Sequence, residues 1–215
     1  MKHRHIIALT LLLTLLLSSL TLQAQVPAEV RDVMHKCEAA MSSPKGTEID
    51  MDMKASWAFV TFMNIHFVTG EKNGKSKTTM TMSILGNDVT IESGFDGEQE
   101  WMASDDTVTI TKTTTKHNKN DADLNFNLAN EYKKAKLKLK KDHYAIDFSD
   151  PVDKNNEAKT VSVKVSKKDY RLQEMKMTMK GAKATMTVNK IRFGLPDSYF
   201  KLDLSKYPKA KIIRK

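Results

Sequence analysis

The sequence predicts a mainly β domain of the α+β class, an antiparallel meander accompanied by a few short helices. Two observations predict it. From Gly46 onward apolar and polar residues alternate at period two over most of the chain, the pattern of half-buried strands. Turn residues break these runs at short intervals, among them Asn73-Gly74, Gly86-Asn87-Asp88, Asp96-Gly97 and Asp105-Asp106, which supply the backbone geometry of tight hairpins. Sequential hairpins with so few helices make a meander rather than a crossover sheet.

The chain opens with Lys2 and Arg4, an apolar run from Ile6 to Leu22, and then Gln23-Ala24-Gln25. This is the layout of a cleavable secretion signal over residues 1–24, with an apolar run shorter than the roughly 20 residues that span a bilayer. Leu22 stands where a small residue is usual before the cut, so retention as an uncleaved anchor is the alternative. Residues 25–215 then form one domain, long enough to bury a real core.

Ala28 to Met41 carries Val30, Val33, Met34, Cys37 and Met41 at spacings of three and four, which predicts an amphipathic helix ending near Ser42-Ser43-Pro44. Strands are expected over Thr47 to Ala55, Phe59 to Thr69, Ser76 to Leu85, Val89 to Phe95, Gln99 to Ala103 and Thr107 to Lys112. Thr113 to Asp123 lacks apolar periodicity and reads as a mobile loop. Leu124, Leu128 and Tyr132 predict a short helix through Ala135. Strands follow at Lys136 to Lys141, His143 to Phe148, Thr160 to Lys167, Arg171 to Met179, Ala184 to Phe193, Tyr199 to Leu204 and Lys211 to Ile213. No internal repeat is strong enough to indicate duplication.

Cys37 is the only cysteine, so an internal disulfide is impossible and the fold must hold by its core. It falls on the apolar stripe of the first helix and reads as a buried small hydrophobe rather than a reactive thiol. It also lies too far from the cut to be a lipidation site. With Lys2 and Arg4 removed, 35 basic residues become 33 against 26 acidic ones, a formal charge of +7. That balance favours an acidic partner surface such as anionic lipid headgroups or an acidic docking face, not nucleic acid, given the exported compartment.

Of the 13 methionines, all but Met1 belong to the mature chain, and many stand at alternate strand positions: Met51 and Met53, Met80 and Met82, then Met175, Met177 and Met179. Alternate residues share one face of a strand. Ile84, Met186 and Phe193 join that face if their strands are adjacent. The opposite faces carry Asp50, Asp52 and Lys54, then Thr79, Thr81 and Ser83, then Lys176, Thr178 and Lys180, so the sheet is wet on one side and methionine-rich on the other. Cores that specify one packing use mostly Val, Ile and Leu. Methionine is flexible and suits surfaces that accept apolar partners of variable shape. Two readings remain open, a methionine-rich closed core and an adaptable cavity for a flexible ligand such as an acyl chain.

The run Phe95-Asp96-Gly97-Glu98-Gln99-Glu100-Trp101-Met102 with Asp105-Asp106-Thr107-Val108-Thr109 resembles the aspartate-glycine hairpin and tryptophan strand of the LolA family, carriers of outer-membrane lipoproteins. Val161 to Val165, Lys168-Asp169-Tyr170, the strand to Met179, Ile191-Arg192-Phe193, Tyr199 to Asp203 and Tyr207 to Ile213 are similar in order and spacing to that family's final strands. The resemblance covers nearly the whole mature chain. It implies an incomplete antiparallel β-barrel, a strongly curved sheet whose open face is covered by short helices. It further implies a monomeric periplasmic carrier, without cofactor or metal, that shuttles lipid-modified proteins from an inner-membrane ABC exporter to an outer-membrane acceptor. The acyl-chain cavity would be lined by Met51, Met53, Met80, Met82, Ile84, Trp101, Met175, Met177, Met179, Met186 and Phe193. The lid would carry Val33, Met34, Cys37, Leu124, Leu128 and Tyr132. The family often places an Arg-Pro pair on the strand before the aspartate-glycine hairpin, and its arginine helps hold the lid. The matching stretch, Met82 to Asn87, has no arginine, so the resemblance does not supply the residue that latches the lid.

Catalysis is not expected. His35, His66, His117 and His143 are scattered outside any zinc-binding spacing, Asp105-Asp106 reads as a turn, and no nucleophile elbow is present. The rival class is an envelope sensor module of the same half-barrel fold that binds lipids or mislocalised lipoproteins. Such modules tend to carry a further domain, and this chain ends soon after its last strand. Lys136, Lys138 and Lys140 would share one face of a strand, either as a docking face or as the protection of a solvated edge.

Overall fold

The computed structural model describes residues 26–57, 60–84, 87–112 and 128–215, without the side chains of Phe62, Ile84 and Asn87. The expected secretion signal, the Thr113 to Asp123 loop, His117, Leu124 and the Ile84 side chain therefore lie outside what is described.

Helix α1 spans Ala28–Ala40. The carbonyl of Pro27 accepts from the backbone N–H groups of Val30 and Arg31 at 3.0 and 3.2 Å, and Glu29 sits in the first turn, where a negative charge complements the helix dipole. Val30, Val33, Met34 and Cys37 are buried, as the spacing of three and four predicts.

Six strands follow: β1 (Thr47–Trp57), β2 (Val60–Lys72), β3 (Lys75–Ile84), β4 (Asn87–Phe95), β5 (Gln99–Ala103) and β6 (Thr107–Lys112). After the four-residue helix α2 (Leu128–Glu131) come β7 (Tyr132–Leu139), β8 (His143–Pro151), β9 (Thr160–Ser166), β10 (Leu172–Met179) and β11 (Ala182–Phe193). Two 3₁₀ turns, η1 (Asp197–Phe200) and η2 (Leu204–Lys206), lead to β12 (Lys211–Arg214). Asn73 and Gly74, at φ 50° and 75°, form the turn between β2 and β3 with the positive φ values that match strand twist.

All 12 described strands form one sheet in the order β12-β6-β5-β4-β3-β2-β1-β11-β10-β9-β8-β7. It is curved and not closed into a barrel. Two meanders, β1 to β6 and β7 to β11, are joined side by side through the antiparallel pairing of β1 with β11. Three expectations are corrected. β12 returns to pair in parallel with β6, so the sheet is not wholly a meander. The segment Tyr199 to Leu204 forms no strand but 3₁₀ turns, because Phe200 is fully buried and Asp203 caps η2 by accepting from the Ser205 backbone N–H at 3.1 Å. The helix expected through Ala135 stops at Glu131, since Ala135 and Leu137 are needed as partners of Phe148 and Ile146 in the β7–β8 ladder.

The main core lies on the face that carries α1. Val30, Val33, Met34 and Cys37 pack with Ile49 and Met51 of β1 and with Ile146, Phe148, Val161, Val163, Val165, Leu172 and Met175 of β8 to β10. A second, smaller cluster of Trp101, Ala103, Val108 and Ile110 is joined by Leu202, Tyr207 and Ala210 from the C-terminal segment.

Candidate functional site

Strand register assembles one continuous apolar row across nine strands. It reads Val89, Met82, Ile65, Met53, Met186, Met175, Val163, Ile146 and Leu137, from β4 to β7, each paired with the next. Facing residues on paired strands point to the same side, so all nine share the face that bears α1. A parallel row of Ile91, Met80, Phe67, Met51 and Val188 lies beside it.

Burial changes along the main row. Val163 is 1% exposed and Ile146 fully buried beneath α1, Met175 and Ile65 are also buried, Met186, Met53, Met82 and Leu137 are half-buried, and Val89 is 38% exposed. Met80, Phe67 and Ile91 are half-buried as well, and Met102, on the same face by register, is 58% exposed. One side of the sheet is therefore a sealed core at one end and an accessible methionine surface at the other. The open end holds Met53, Met80, Met82 and Met186, long flexible side chains that can follow a ligand of variable shape.

Of the expected cavity residues, Met51, Met53, Met80, Met82, Met175, Met177, Met179 and Met186 stand on this one face. Met51 and Met175 belong to the buried core, while Met177 and Met179 are half-buried. Two expected residues are elsewhere. Trp101 pairs with Gly94, which pairs with Lys77, and so lies on the opposite face. There it is 3% exposed within the smaller cluster, because every residue between Gln99 and Ala103 alternates sides and Met102 takes the methionine side. Phe193 pairs with Thr47 at the far end of β11 and is 39% exposed beneath the Arg171 guanidinium, 5.5 Å from its ring. It stands seven residues from Met186, roughly 23 Å along the strand. Phe67, Val89, Ile91 and Met102 complete the surface around buried Ile65. Their signal was the alternation of the second, fourth and fifth expected strands, which contain few methionines.

Of the expected lid residues, Val33, Met34, Cys37, Leu128 and Tyr132 are all buried in the main cluster. The Tyr132 hydroxyl donates to the Ala158 carbonyl at 2.8 Å. On the exposed flank of α1 the Lys36 ammonium sits 5.3 Å above the Tyr170 ring, which stacks on Tyr144 at 5.8 Å. Burial pushes the Cys37 thiol up to about 12. The apolar stripe of α1 packs into the main core cluster with residues of β8 to β10.

The opposite face is polar and carries the C-terminal segment. Glu92 is buried there and accepts from the Tyr207 hydroxyl at 2.9 Å, from Thr79 Oγ1 at 3.3 Å and from Lys206 Nζ at 3.3 Å, with Lys77 Nζ at 3.5 Å. Burial pushes its carboxyl up, but the Tyr207 hydrogen bond and the charges of Lys77 and Lys206 prevail and hold it below the usual range. A cleft of about 330 Å³ opens where β10 and β11 part, lined by Leu172, Val188 and Ile191 together with the polar Asp169, Arg171, Gln173, Asn189 and Lys190, a mixed lining rather than a mainly apolar one. Among the described residues no group of three or more His, Cys, Asp or Glu side chains is placed to hold a metal ion, and no helix is long and apolar enough to cross a membrane.

No family model matches the chain, and no curated protein matches it. Solved structures do. An uncharacterized conserved protein from Thermus thermophilus superposes with a TM-score of 0.52 at 8% identity, over 87% of this chain and 99% of that one. The likeness is one of fold. Weaker matches include LprF from Mycobacterium bovis, with a TM-score of 0.48 at 8% identity over 79% of this chain and 95% of that one. Another is the LolA superfamily protein NE2245 from Nitrosomonas europaea, with a TM-score of 0.37 at 10% identity over 80% and 97%. The architecture expected from the sequence, an unclosed curved sheet with short helices, is the one observed.

Proposed function

We propose that this protein is a periplasmic carrier that takes the acyl chains of lipoproteins onto the methionine end of its sheet and shuttles them from the inner to the outer membrane. The observation that carries this reading is the group of half-buried Met53, Met80, Met82 and Met186 with exposed Val89, on the same face of the sheet whose other part is sealed around Val163 and Ile146. Covering a hydrocarbon chain is worth about 0.8 kcal/mol per methylene, so an acylated protein needs such a surface to cross an aqueous space. The half-buried methionines provide area without imposing one shape. Met177, Met179 and Met186 extend the surface toward the end of β10, and Ile84 belongs to the same strand face by sequence.

The resemblance in the sequence and the layout of residues 1–24 support export. An inner-membrane ABC exporter as donor and an outer-membrane acceptor as recipient complete the route, and binding without catalysis is all the carrier does. The test is native mass spectrometry of the protein isolated from cell envelopes without detergent. Adducts with the mass of acylated lipoproteins, and retention of lipoproteins at the inner membrane on depletion, are expected. An adduct-free protein with normal lipoprotein sorting on depletion would overturn the reading.

A further inference from the structure

Two hairpin ends meet at one margin of the methionine face. Trp57 at the end of β1 pairs with Val60 on one side and with Ala182 on the other, and Ala182 pairs with Met179. The indole lies against the β10–β11 turn, with Nε1 3.2 Å from where a Cβ on Gly181 would stand. Trp57 and Val60 are both 68% exposed. Residues this apolar are seldom left in water, and tryptophan in particular favours the boundary between hydrocarbon and headgroups.

On the strands that carry these ends the charge has one sign. Residues 53–63 and 175–188 contain Lys54, Lys176, Lys180 and Lys183 and no aspartate or glutamate. Lys183 pairs with Ser56, one residue from Trp57, and Lys180 precedes Gly181 in the turn. Lys54, Lys180 and Lys183 are exposed and make no salt bridge among the described residues. The next acids along these strands are engaged, Glu174 by Lys164 at 2.8 Å and Lys176 at 3.1 Å, and Asp52 by Asn189 at 2.9 Å and His66 at 2.9 Å. Glu157 stands in the neighbouring β8–β9 connection, whose Lys159 backbone N–H donates to the Thr178 carbonyl at 2.8 Å. Apolar tips flanked by unpaired lysines are complementary to an anionic bilayer surface, where the ring reaches the interface and the ammonium groups meet headgroups.

We propose that the Trp57 and Gly181 hairpin ends form a docking edge for anionic lipid bilayers. The methionine face runs directly from this edge, through Met179, Met177 and Met53, so a docked protein would present its acyl-binding surface to the membrane. In that respect the inference rests on the carrier reading, although docking is measured separately from acyl binding.

The protein contains two tryptophans, and Trp101 is 3% exposed, so a change in emission on adding vesicles reports Trp57. Vesicles of phosphatidylglycerol in phosphatidylcholine should shift the emission to the blue, increasingly with the anionic fraction and less at high salt. Lys180→Gln combined with Lys183→Gln should weaken binding about twenty-five-fold, since each lysine near such a surface is worth roughly fivefold. Trp57→Ser, followed by co-sedimentation with the vesicles because it removes the reporting indole, should weaken binding about tenfold. All variants share one N-terminus, so the differences report these ends alone, and circular dichroism checks the fold. Equal binding to neutral vesicles, variants that bind like the parent, or binding only to vesicles that carry membrane proteins would each overturn the proposal. A fluorescent fatty-acyl probe, titrated without vesicles, separates the outcomes: probe binding without docking leaves the carrier reading standing.

Discussion

Met53 of β1 faces Met186 of β11 across the pairing that joins the two meanders, and it faces Ile65 of β2 on its other side. This methionine pair marks the place where a fully buried core gives way to an accessible apolar surface. The same register row that runs through Val163 and Ile146 under α1 is half-open at these two methionines, so equal substitutions along it should have unequal effects.

Met53→Asp should keep the fold, since Met53 is only half-buried, and should weaken binding of a fatty-acyl probe more than about tenfold, because a carboxylate on that face must be desolvated by the chain. Val163→Asp, at a site 1% exposed, should unfold the protein or cost about 4 kcal/mol. Circular dichroism with probe titration distinguishes the two. Equal loss of folding in both variants would mean that Met53 belongs to a closed core.

The buried Cys37 thiol gives the protein an alkaline weakness. Its folded pKa of about 12 lies above the value of about 8.5 of an unfolded chain, so the neutral thiol favours the folded state fully below about pH 8.5. That contribution is lost as pH rises from there toward 12. Burial, followed by hydrogen bonding to Glu48 and Glu92, raises Tyr199 and Tyr207 too, and these act in the same direction. Urea midpoints should fall above pH 9, and Cys37→Ala should flatten part of the slope. A thiol reagent at pH 8 should leave the native protein unlabelled until urea unfolds it.

Glu92→Gln would leave Lys77, itself nearly buried, without its counter-charge, at a cost of about 3 kcal/mol. Because Tyr207 and Lys206 lose a charged acceptor in the same step, hydrogen exchange over residues 202–214 should quicken while acyl binding persists. The folded carboxyl sits below its ordinary range, so its contribution is present above pH of about 4.3 and is lost as pH falls through the lower folded value. Normal protection of the C-terminal segment in Glu92→Gln would show that the buried carboxylate does not hold it.

Gly70, Lys77 and Gly94 form one row on the opposite face. The two glycines make room for two rings: a Cβ on Gly70 would fall 2.4 Å from the Tyr199 ring, and one on Gly94 2.7 Å from Trp101. The Lys77 ammonium lies 5.6 Å from each ring centroid. Gly94→Ala should cost about 1–3 kcal/mol by overpacking, with a dulled near-ultraviolet tryptophan signal and unchanged probe binding. A neutral result by urea titration would mean that Trp101 moves aside freely.

Local pattern alone determined most of the secondary structure, because period-two alternation and paired turn residues act within a hairpin. It placed α1 through Val30, Val33 and Cys37, and it put the methionines of each strand on one side. Neighbouring segments alone could not say that β1 lies beside β11, which brings Met53 to Met186 across more than a hundred residues, nor that β12 returns to β6. Trp101 shows the same limit, since its side of the sheet follows from register with Gly94 and Lys77 and not from its apolar character. Which part of the methionine face is sealed depends on where α1 packs, and that is set by the fit of its side chains against β8 to β10, a contact between distant segments that no run of residues encodes by itself.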